Sequence, residues 1–169
     1  MTGRLSAIRS IVPDLIASAE LAVDSGGEGF TEITGEVLQF IERSGARDGV
    51  LLLYLRHTSA SLVIQENADP DVQTDLVTSL RLLAPDSGPW VHKVEGPDDM
   101  PAHIKSMLNG VSLHVPIRGG ALALGTWQGI YLVEHRTRTH RREVILQFVG
   151  SRAWRPVGPP AGAGSYVHC

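Results

Sequence analysis

Cysteine, aromatic residues and surplus positive charge are all scarce in this sequence, and each scarcity excludes a class of protein or site. Cys169 is the only cysteine, so the chain forms neither an internal disulfide nor a zinc site of several cysteines. Aromatic residues make up 5% of the 169 residues, and the formal net charge is −3. The core must therefore be built mostly from Val, Leu, Ile and Ala, and the basic footprint of a nucleic-acid-binding protein is lacking.

Long apolar runs are also missing. No stretch approaches the ~20 apolar residues of a membrane-spanning helix, and the first residues lack the basic and apolar regions of a signal peptide. We therefore expect a cytoplasmic protein with no membrane or nucleic-acid partner. A length of 169 residues, of which 43% are hydrophobic, suits one globular domain. We predict that domain over residues 1–152, followed by a Pro/Gly-rich tail over residues 153–169.

The apolar pattern predicts an α+β fold, with a mainly antiparallel β-sheet or sandwich and two or three packed helices. Helices are predicted over residues 31–44, 70–84 and 101–109, with a loop between the last two. Apolar runs predict strands over residues 19–24, 49–55, 60–65, 112–117, 122–125, 127–134 and 143–149. No regular strand–helix–strand alternation occurs, which disfavours a parallel sheet.

Local signals refine three of these segments. Asp69 and Pro70 form a strong helix start, with Asp as the cap and Pro at the first helical position. The face of this helix that we expect to be buried carries Val72, Leu76, Leu80 and Leu83. We also expect Trp127 to be buried in its strand, and the basic run over residues 135–142 to be a solvated hairpin turn.

Three histidines lie in polar surroundings punctuated by Gly and Pro: His57, His92 and His103. Imidazole binds divalent metals and transfers protons near neutral pH, so histidines that converge would form a functional site. Their spacing alone does not predict convergence, because no HxH or HExxH pattern places two of them on one helix or strand face. Taken alone, each fits a surface or hydrogen-bonded residue better than a ligand, and His114 on its strand is interpreted as structural.

Several other polar residues are candidates. Glu66 and Asn67 end an apolar strand where no helix cap requires them, whereas the role of Asp69 as a cap is sufficient. Ser59 stands two residues from His57, but without a nucleophile-elbow motif the pair is weak support for a hydrolase. Glu95 lies in a loop before a helix whose first amides could hold an anion. Gln128 fits a sheet or a pocket equally well.

Three stretches in order along the chain carry a family resemblance: HTSASLVIQENADPDVQTDL, WVHKVEGPDDMPAHIKSMLNG and SLHVPIRGGALALGTWQGIYLVEHR. The sequence resembles the YjbQ family, small proteins often named secondary thiamine-phosphate synthases. The resemblance covers roughly residues 20–150. It implies a compact α+β homotrimer with a polar pocket near a subunit boundary. It also implies weak thiamine-phosphate synthesis, in which a pyrimidine pyrophosphate and a thiazole phosphate join and release pyrophosphate.

Carried onto this chain, the resemblance implies that His57, His92 and His103 share a site that holds a divalent metal, zinc or magnesium, or acts without one. The polar positions that match the family are His57, Thr58, Ser59, Glu66, Asn67, Asp69, His92, Glu95, His103, Gln128 and Glu134. The catalytic candidates are His57, Glu66, Asn67 and Glu95, while Ser59 and Gln128 are candidates for ligand contacts. Asp99 departs from the pattern; if it lines the site, its charge strengthens metal binding and weakens phosphate binding.

Two functions remain open at this stage. The first is an enzyme that acts on a small phosphorylated or heterocyclic compound, in which a metal or the histidines stabilise a leaving pyrophosphate. The second is a non-catalytic trimeric protein that binds a metal or a metabolite. Few basic residues accompany the motifs, which is unusual for a dedicated pyrophosphate site.

Overall fold

A computed structural model describes residues 3–152, so the predicted tail over residues 153–169 lies outside the described residues. Eight strands and three helices alternate irregularly along this part of the chain. In order they are β1 (Leu15–Asp24), β2 (Gly29–Glu32), α1 (Thr34–Ser44), β3 (Ala46–Leu55), β4 (Ala60–Glu66), α2 (Pro70–Leu83), α3 (Asp99–Asn109), β5 (Ser112–Arg118), β6 (Ala121–Leu122), β7 (Gln128–Glu134) and β8 (Arg141–Arg152). Within residues 3–152, no helix combines the length and the apolar character needed to cross a membrane.

The strands form two antiparallel sheets, as the sequence predicted. The larger sheet has the order β1-β8-β3-β5-β6, and the smaller has the order β2-β7-β4. The central strand β7 of the smaller sheet is buried along almost its whole length. Apolar side chains from both sheets and from α1 join in one core, which includes Phe148, Leu53, Leu132 and Val37. The α+β fold class is confirmed.

Helix α2 begins and ends close to where the sequence signals place it. Helix α1 begins at Thr34, three residues later than predicted, because Thr31 lies in β2 and pairs with Leu132 of β7. Gly45 closes α1 with a left-handed φ of 71°, a conformation that favours glycine. At the start of α2, the Asp69 side chain accepts a hydrogen bond from the amide of Asp71 at 2.9 Å, and Pro70 follows as the first helical residue. The face of α2 that we expected to be buried is only partly covered. Val72, Leu76 and Leu80 are half-buried, Leu83 is 67% exposed, and no residue of this helix is fully buried.

Helix α3 begins two residues earlier than predicted, at Asp99 and not at Pro101. Proline lacks an amide hydrogen, but the first turn of a helix needs none there, so Pro101 fits inside that turn. The earlier start changes which side chains are neighbours. It places Asp99 one helical turn before His103 (four residues), so that the two side chains share a face of α3.

The basic segment between β7 and β8 is not the solvated turn that we predicted. His135, Arg136 and Arg142 are 2%, 8% and 4% exposed, whereas residues 137–139 and Arg141 are at the surface. The three side chains are buried because carboxylates and a serine hydroxyl of neighbouring elements satisfy them. The prediction for Trp127 is also wrong, since it precedes β7 and is 65% exposed.

Candidate functional site

Two of the three candidate histidines meet across an aspartate. His92 lies in the loop before α3, and its Nε2 is 2.7 Å from Oδ2 of Asp99. The same oxygen is 3.4 Å from Nε2 of His103, and the two imidazole rings are 5.8 Å apart between centroids. The three ligand atoms of His92, Asp99 and His103 lie within 4.8 Å of one another. We call this group the histidine–aspartate cluster.

The cluster has the supporting contacts of a metal site. Nδ1 of His103 donates a hydrogen bond to the carbonyl oxygen of Thr58 at 2.8 Å, so the unprotonated nitrogen of a neutral ring is Nε2, which faces Asp99. A hydrogen bond of this kind on the outer nitrogen is the usual means of orienting a metal-bound histidine. The other oxygen of Asp99 forms a short ion pair with Arg136, which fixes the carboxylate in place.

The donor set fits zinc better than magnesium. Zinc is commonly bound by two imidazole nitrogens and one carboxylate, with the fourth position open in catalytic sites. Magnesium prefers an octahedral set of oxygens. The side chains of His92 and His103 are 43% and 33% exposed, so one side of the cluster is open to solvent and to a further ligand.

A surface cavity of about 460 Å³ adjoins the cluster through His92. Its other walls include Trp90, Lys93 and Gly96. The indole of Trp90 lies directly over Gly88, where a side chain would collide with the ring, and its Nε1 donates to the carbonyl of Pro85 at 2.8 Å. The cavity therefore combines a fixed aromatic surface, an ammonium group and one imidazole of the cluster.

Glu95 is close to the cluster but does not belong to it. Its carboxylate is 3.7 Å from Nη1 of Arg136 and is 69% exposed. Its backbone carbonyl accepts a hydrogen bond from Nη2 of the same arginine at 2.7 Å. Asp98 holds the arginine from the other side. Burial opposes ionisation of Asp98, but hydrogen bonds from Thr137 and Arg136 lower its pKa to about 2.

His57 lies outside the histidine–aspartate cluster. Its Nε2 accepts a hydrogen bond from the amide of Glu143 at 3.1 Å, and its Nδ1 is 3.4 Å from Nη1 of Arg142. Burial, and then the positive charge of Arg142, lower the pKa of His57. The ring is thus held in its neutral form beside β8, and its contact with the cluster runs through the backbone of its neighbour Thr58.

Ser59 belongs to a buried network centred on Glu134. Nη2 of Arg142 donates to the Ser59 hydroxyl at 3.1 Å and to Glu134 at 2.7 Å. Burial opposes ionisation of Glu134, yet the hydrogen bonds from Arg142, from the amide of Arg136 and from Ser25 lower its pKa. This network joins β7 to β8 and supports the segment that carries Arg136.

The remaining candidates lie at the other end of the small sheet. In the antiparallel pair of β4 and β7, Glu66 is opposite Gln128, whereas Ala60 is opposite Glu134. At about 3.3 Å per residue, this register separates Glu66, Asn67 and Gln128 from the start of β4 by about 20 Å. The structure of one chain therefore divides the predicted site into two groups.

Sequence reasoning missed the two arginines and left open whether Asp99 lines the site. Arg136 and Arg142 stood in a run that is typical of solvated turns, and only pairing with distant carboxylates reveals their burial. The order of the motifs held one usable signal: Asp99 and His103 are four residues apart, a spacing that brings side chains together on a helix. Because Pro101 lies between them, the sequence did not indicate that the two residues belong to one helix.

Comparisons with known proteins place the chain in a family. The family profile described as UPF0047 protein YjbQ-like matches residues 19–151. UPF0047 protein sll1880 of Synechocystis is 47% identical over 77% of this chain and 89% of its own length, and UPF0047 protein YjbQ of Escherichia coli O157:H7 is 42% identical over 77% and 95%.

Solved structures agree with this placement. An uncharacterized conserved protein of the YjbQ/UPF0047 family from Clostridium acetobutylicum is 37% identical over 77% of this chain and 98% of its own, with a TM-score of 0.72. A hypothetical protein from Aeropyrum pernix is 30% identical over 80% and 99%, with a TM-score of 0.74. The chain belongs to the YjbQ/UPF0047 family.

Proposed function

We propose that this member of the YjbQ family is a metal-dependent enzyme that acts on a small phosphorylated compound. The histidine–aspartate cluster carries the proposal, because His92, Asp99 and His103 offer a zinc-type donor set with one open side. A divalent ion bound there supplies Lewis-acid stabilisation of charge on a phosphate or pyrophosphate oxygen. The cavity beside His92 is the proposed substrate site.

The residues around the cluster have distinct proposed roles. Arg136 positions Asp99 through the ion pair, and the carbonyl of Thr58 keeps the metal-facing nitrogen of His103 unprotonated. Trp90 offers a flat surface for a heterocycle, and Lys93 offers positive charge for a phosphate. His57, held neutral beside Arg142, is proposed as an acid–base group.

Thiamine-phosphate synthesis is the first reaction to assay, since its substrates are heterocycles that carry phosphate or pyrophosphate. We expect pyrophosphate release by the zinc-loaded protein, and loss of at least about tenfold in rate for His103→Ala. His114→Ala is the matched control, because His114 is an exposed histidine on β5. Equal rates for the wild type and both variants would contradict a catalytic role for the cluster.

One observation favours a second candidate, a protein that binds a metal or metabolite without turnover. The two arginines nearest the cluster are neutralised by carboxylates: Arg136 by Asp98 and Asp99, and Arg142 by Glu134. Little positive charge remains for a leaving pyrophosphate. Retained metal and ligand affinity, with no turnover in any phosphate-transfer assay, would support this candidate.

We further propose a cytoplasmic homotrimer in which Glu66, Asn67 and Gln128 act at the cluster of a neighbouring subunit. Within one chain, these residues lie about 20 Å along β4 from its start, which is near the Thr58 carbonyl that His103 contacts. Asn67 and Gln128 are exposed and available to a partner. Mixing inactive Glu66→Ala subunits with inactive His103→Ala subunits should restore activity, because some sites then combine two intact groups. No recovery in mixed trimers would contradict a shared site.

A further inference from the structure

The first residues of the described chain form an extended arm that is scarcely bonded to the domain. Residues 3–13, which we call the arm, belong to no helix or strand and are exposed throughout. The first backbone hydrogen bond between this end of the chain and the sheet comes from Asp14, whose amide donates to the carbonyl of Gly150 at 2.9 Å. The arm also precedes residues 19–151, which match the family profile.

The arm carries large apolar side chains that its own chain does not cover. Leu5, Ile8 and Val12 are 88%, 83% and 85% exposed. Single exposed apolar residues are normal, but several in one short segment are typical of a surface that a partner covers.

Within its own chain, the arm leads away from the outer edge of β1. Residues 5–11 lie beside Asp48 and Gly49, near the start of β3, and beside Arg118, at the end of β5, with a cavity of about 890 Å³ between them. Since the larger sheet has the order β1-β8-β3-β5-β6, the arm passes the ends of the inner strands. It therefore leaves the outer edge of β1 uncovered.

This outer edge has no strand partner within residues 3–152. There β1 pairs with β8 alone, so alternate residues of a strand of 10 residues direct their N–H and C=O groups outward. Proteins usually cover or shield such an edge, because it pairs readily with another extended segment. Addition of a strand from a partner is a common means of completing it.

A groove of about 460 Å³ runs along the same edge, between β1 and α1. Its walls include the consecutive residues 17–21, so side chains of both faces of β1, and the edge between them, line it. Ala19 is opposite Leu146 of the core and shares its face of the sheet. Ala17 and Ala19 are too small to fill the space beside Phe40. The groove can therefore accept apolar side chains from an added strand.

The charges of the arm and the groove are compatible. The arm carries Arg4 and Arg9 and no acidic residue. The groove walls carry Glu20 and Glu36 against Arg43, and Glu20 already has a cationic neighbour at 3.8 Å. Glu36, in the first turn of α1, forms no ion pair among the described residues. An arginine of the arm can approach this carboxylate.

We propose that the arm of one subunit occupies the groove of a second copy of this chain, where it pairs with β1 and inserts apolar side chains between β1 and α1. A second copy is the partner because each chain has one arm and one groove, and its own arm leads the other way. The inference rests on the proposed homotrimer and not on the metal chemistry. A closed ring of three satisfies every arm and every groove.

Crosslinking of two co-expressed full-length chains of different mass tests the proposal. Both carry Cys169→Ser, which removes the only native thiol. One carries Ile8→Cys in the arm, and the other carries Gln39→Cys in the groove wall. We expect a short bis-maleimide to join them, with at least about tenfold more heterodimer than when the second chain carries Leu38→Cys. Leu38 is the matched control, because it lies on the same helix, is 44% exposed and does not line the groove.

Three results would overturn the proposal. The first is no heterodimer, and the second is an equal yield with Gln39→Cys and Leu38→Cys. The third is a crosslink that forms only within one chain when Ile8→Cys and Gln39→Cys are combined, since the arm then occupies its own groove. Sedimentation velocity of the same proteins counts the subunits separately. A homotrimer that gives no heterodimer would refute the exchange of arms and leave the proposed homotrimer standing.

Discussion

Single buried titratable residues set how this protein responds to pH. His135 is 2% exposed, and burial, followed by the nearby charge of Lys105, lowers its pKa from 6.5 to about 4. Because the unfolded chain binds a proton at higher pH than the folded protein does, acid favours unfolding in that interval. The contribution is fully present above pH 6.5 and is lost as the pH falls towards 4.

We predict that the free energy of unfolding falls by up to about 3 kcal/mol between these two pH values because of this one residue. His135→Gln keeps a partner for Ser61 but does not titrate, so its stability should vary less over the same interval. Urea denaturation at a series of pH values measures both curves. Parallel curves for the wild type and the variant would show that His135 does not cause the dependence.

The ion pair of Glu134 and Arg142 predicts a large effect of one substitution. The two side chains are 0% and 5% exposed and are 2.7 Å apart. Glu134→Gln leaves a buried guanidinium without its countercharge, and we expect a loss of about 3 to 5 kcal/mol in unfolding free energy. Chemical denaturation at neutral pH measures this loss.

Glu143→Gln is the control for that prediction. Glu143 pairs with Arg56 at the surface, with side chains 48% and 51% exposed, so its loss should cost less than about 1 kcal/mol. Similar losses in unfolding free energy for Glu134→Gln and Glu143→Gln would show that burial does not increase the contribution of the ion pair with Arg142.

The pairing of β3 with β8 depends on two facing glycines. Gly49 and Gly150 are opposite each other, and a Cβ at Gly150 would overlap the carbonyl oxygen of Asp48 and stand 2.6 Å from Cζ of Phe148. We predict that Gly150→Ala destabilises the protein by at least about 1 to 3 kcal/mol, because the strands or the Phe148 ring must shift.

Gly35→Ala in α1 is the matched control, since no atom lies within 4 Å of the added methyl group. It should be neutral or stabilising by up to about 1 kcal/mol, because alanine favours the helix. Thermal denaturation of both variants checks the pair. A Gly150→Ala protein as stable as the control would show that the close strand approach is not required.

The elements were more predictable from sequence than the site was. Asp69 with Pro70, Gly45 and the apolar runs of β3, β4 and β8 are local signals, and the structure follows them. The start of α3 is not set by a local signal. Pro101 is typical of a first helical residue, but the helix begins at Asp99, whose side chain contacts His92 and Arg136. If the helix started at Pro101, Asp99 would be a loop residue. Because it starts at Asp99, this residue lies one turn before His103.

The burial of the basic segment after β7 was likewise not predictable from the sequence. Arg136 and Arg142 are indistinguishable in composition from turn residues, and their partners are either distant in sequence, such as Asp98, or one strand away, such as Glu134. In contrast, the candidate histidines were identified from sequence, since they lie in loops and at strand ends where polar groups have no packing role. Which of them meet depends on tertiary contacts, and His57 does not join the other two.

At the scale of the whole molecule, the proposed metal site joins residues 92–103 to two distant segments of the chain. The loop before α3 supplies His92, the helix supplies Asp99 and His103, and the segments around Thr58 and Arg136 hold two of these ligands in place. An ion that binds only the folded chain raises its stability, by about 2.7 kcal/mol at a free concentration 100 times its Kd. Metal binding and folding are therefore coupled in this account.

The most direct measurement is the zinc content of the full chain purified without an affinity tag, beside His103→Ala, His57→Ala and His114→Ala. We predict close to one zinc per wild-type chain, loss of zinc in His103→Ala, and retention in the other two variants, because His57 and His114 lie outside the cluster. A wild-type protein that neither carries zinc nor binds it when zinc is added would contradict the metal site. Loss of zinc in His57→Ala but not in His103→Ala would contradict its assigned ligands.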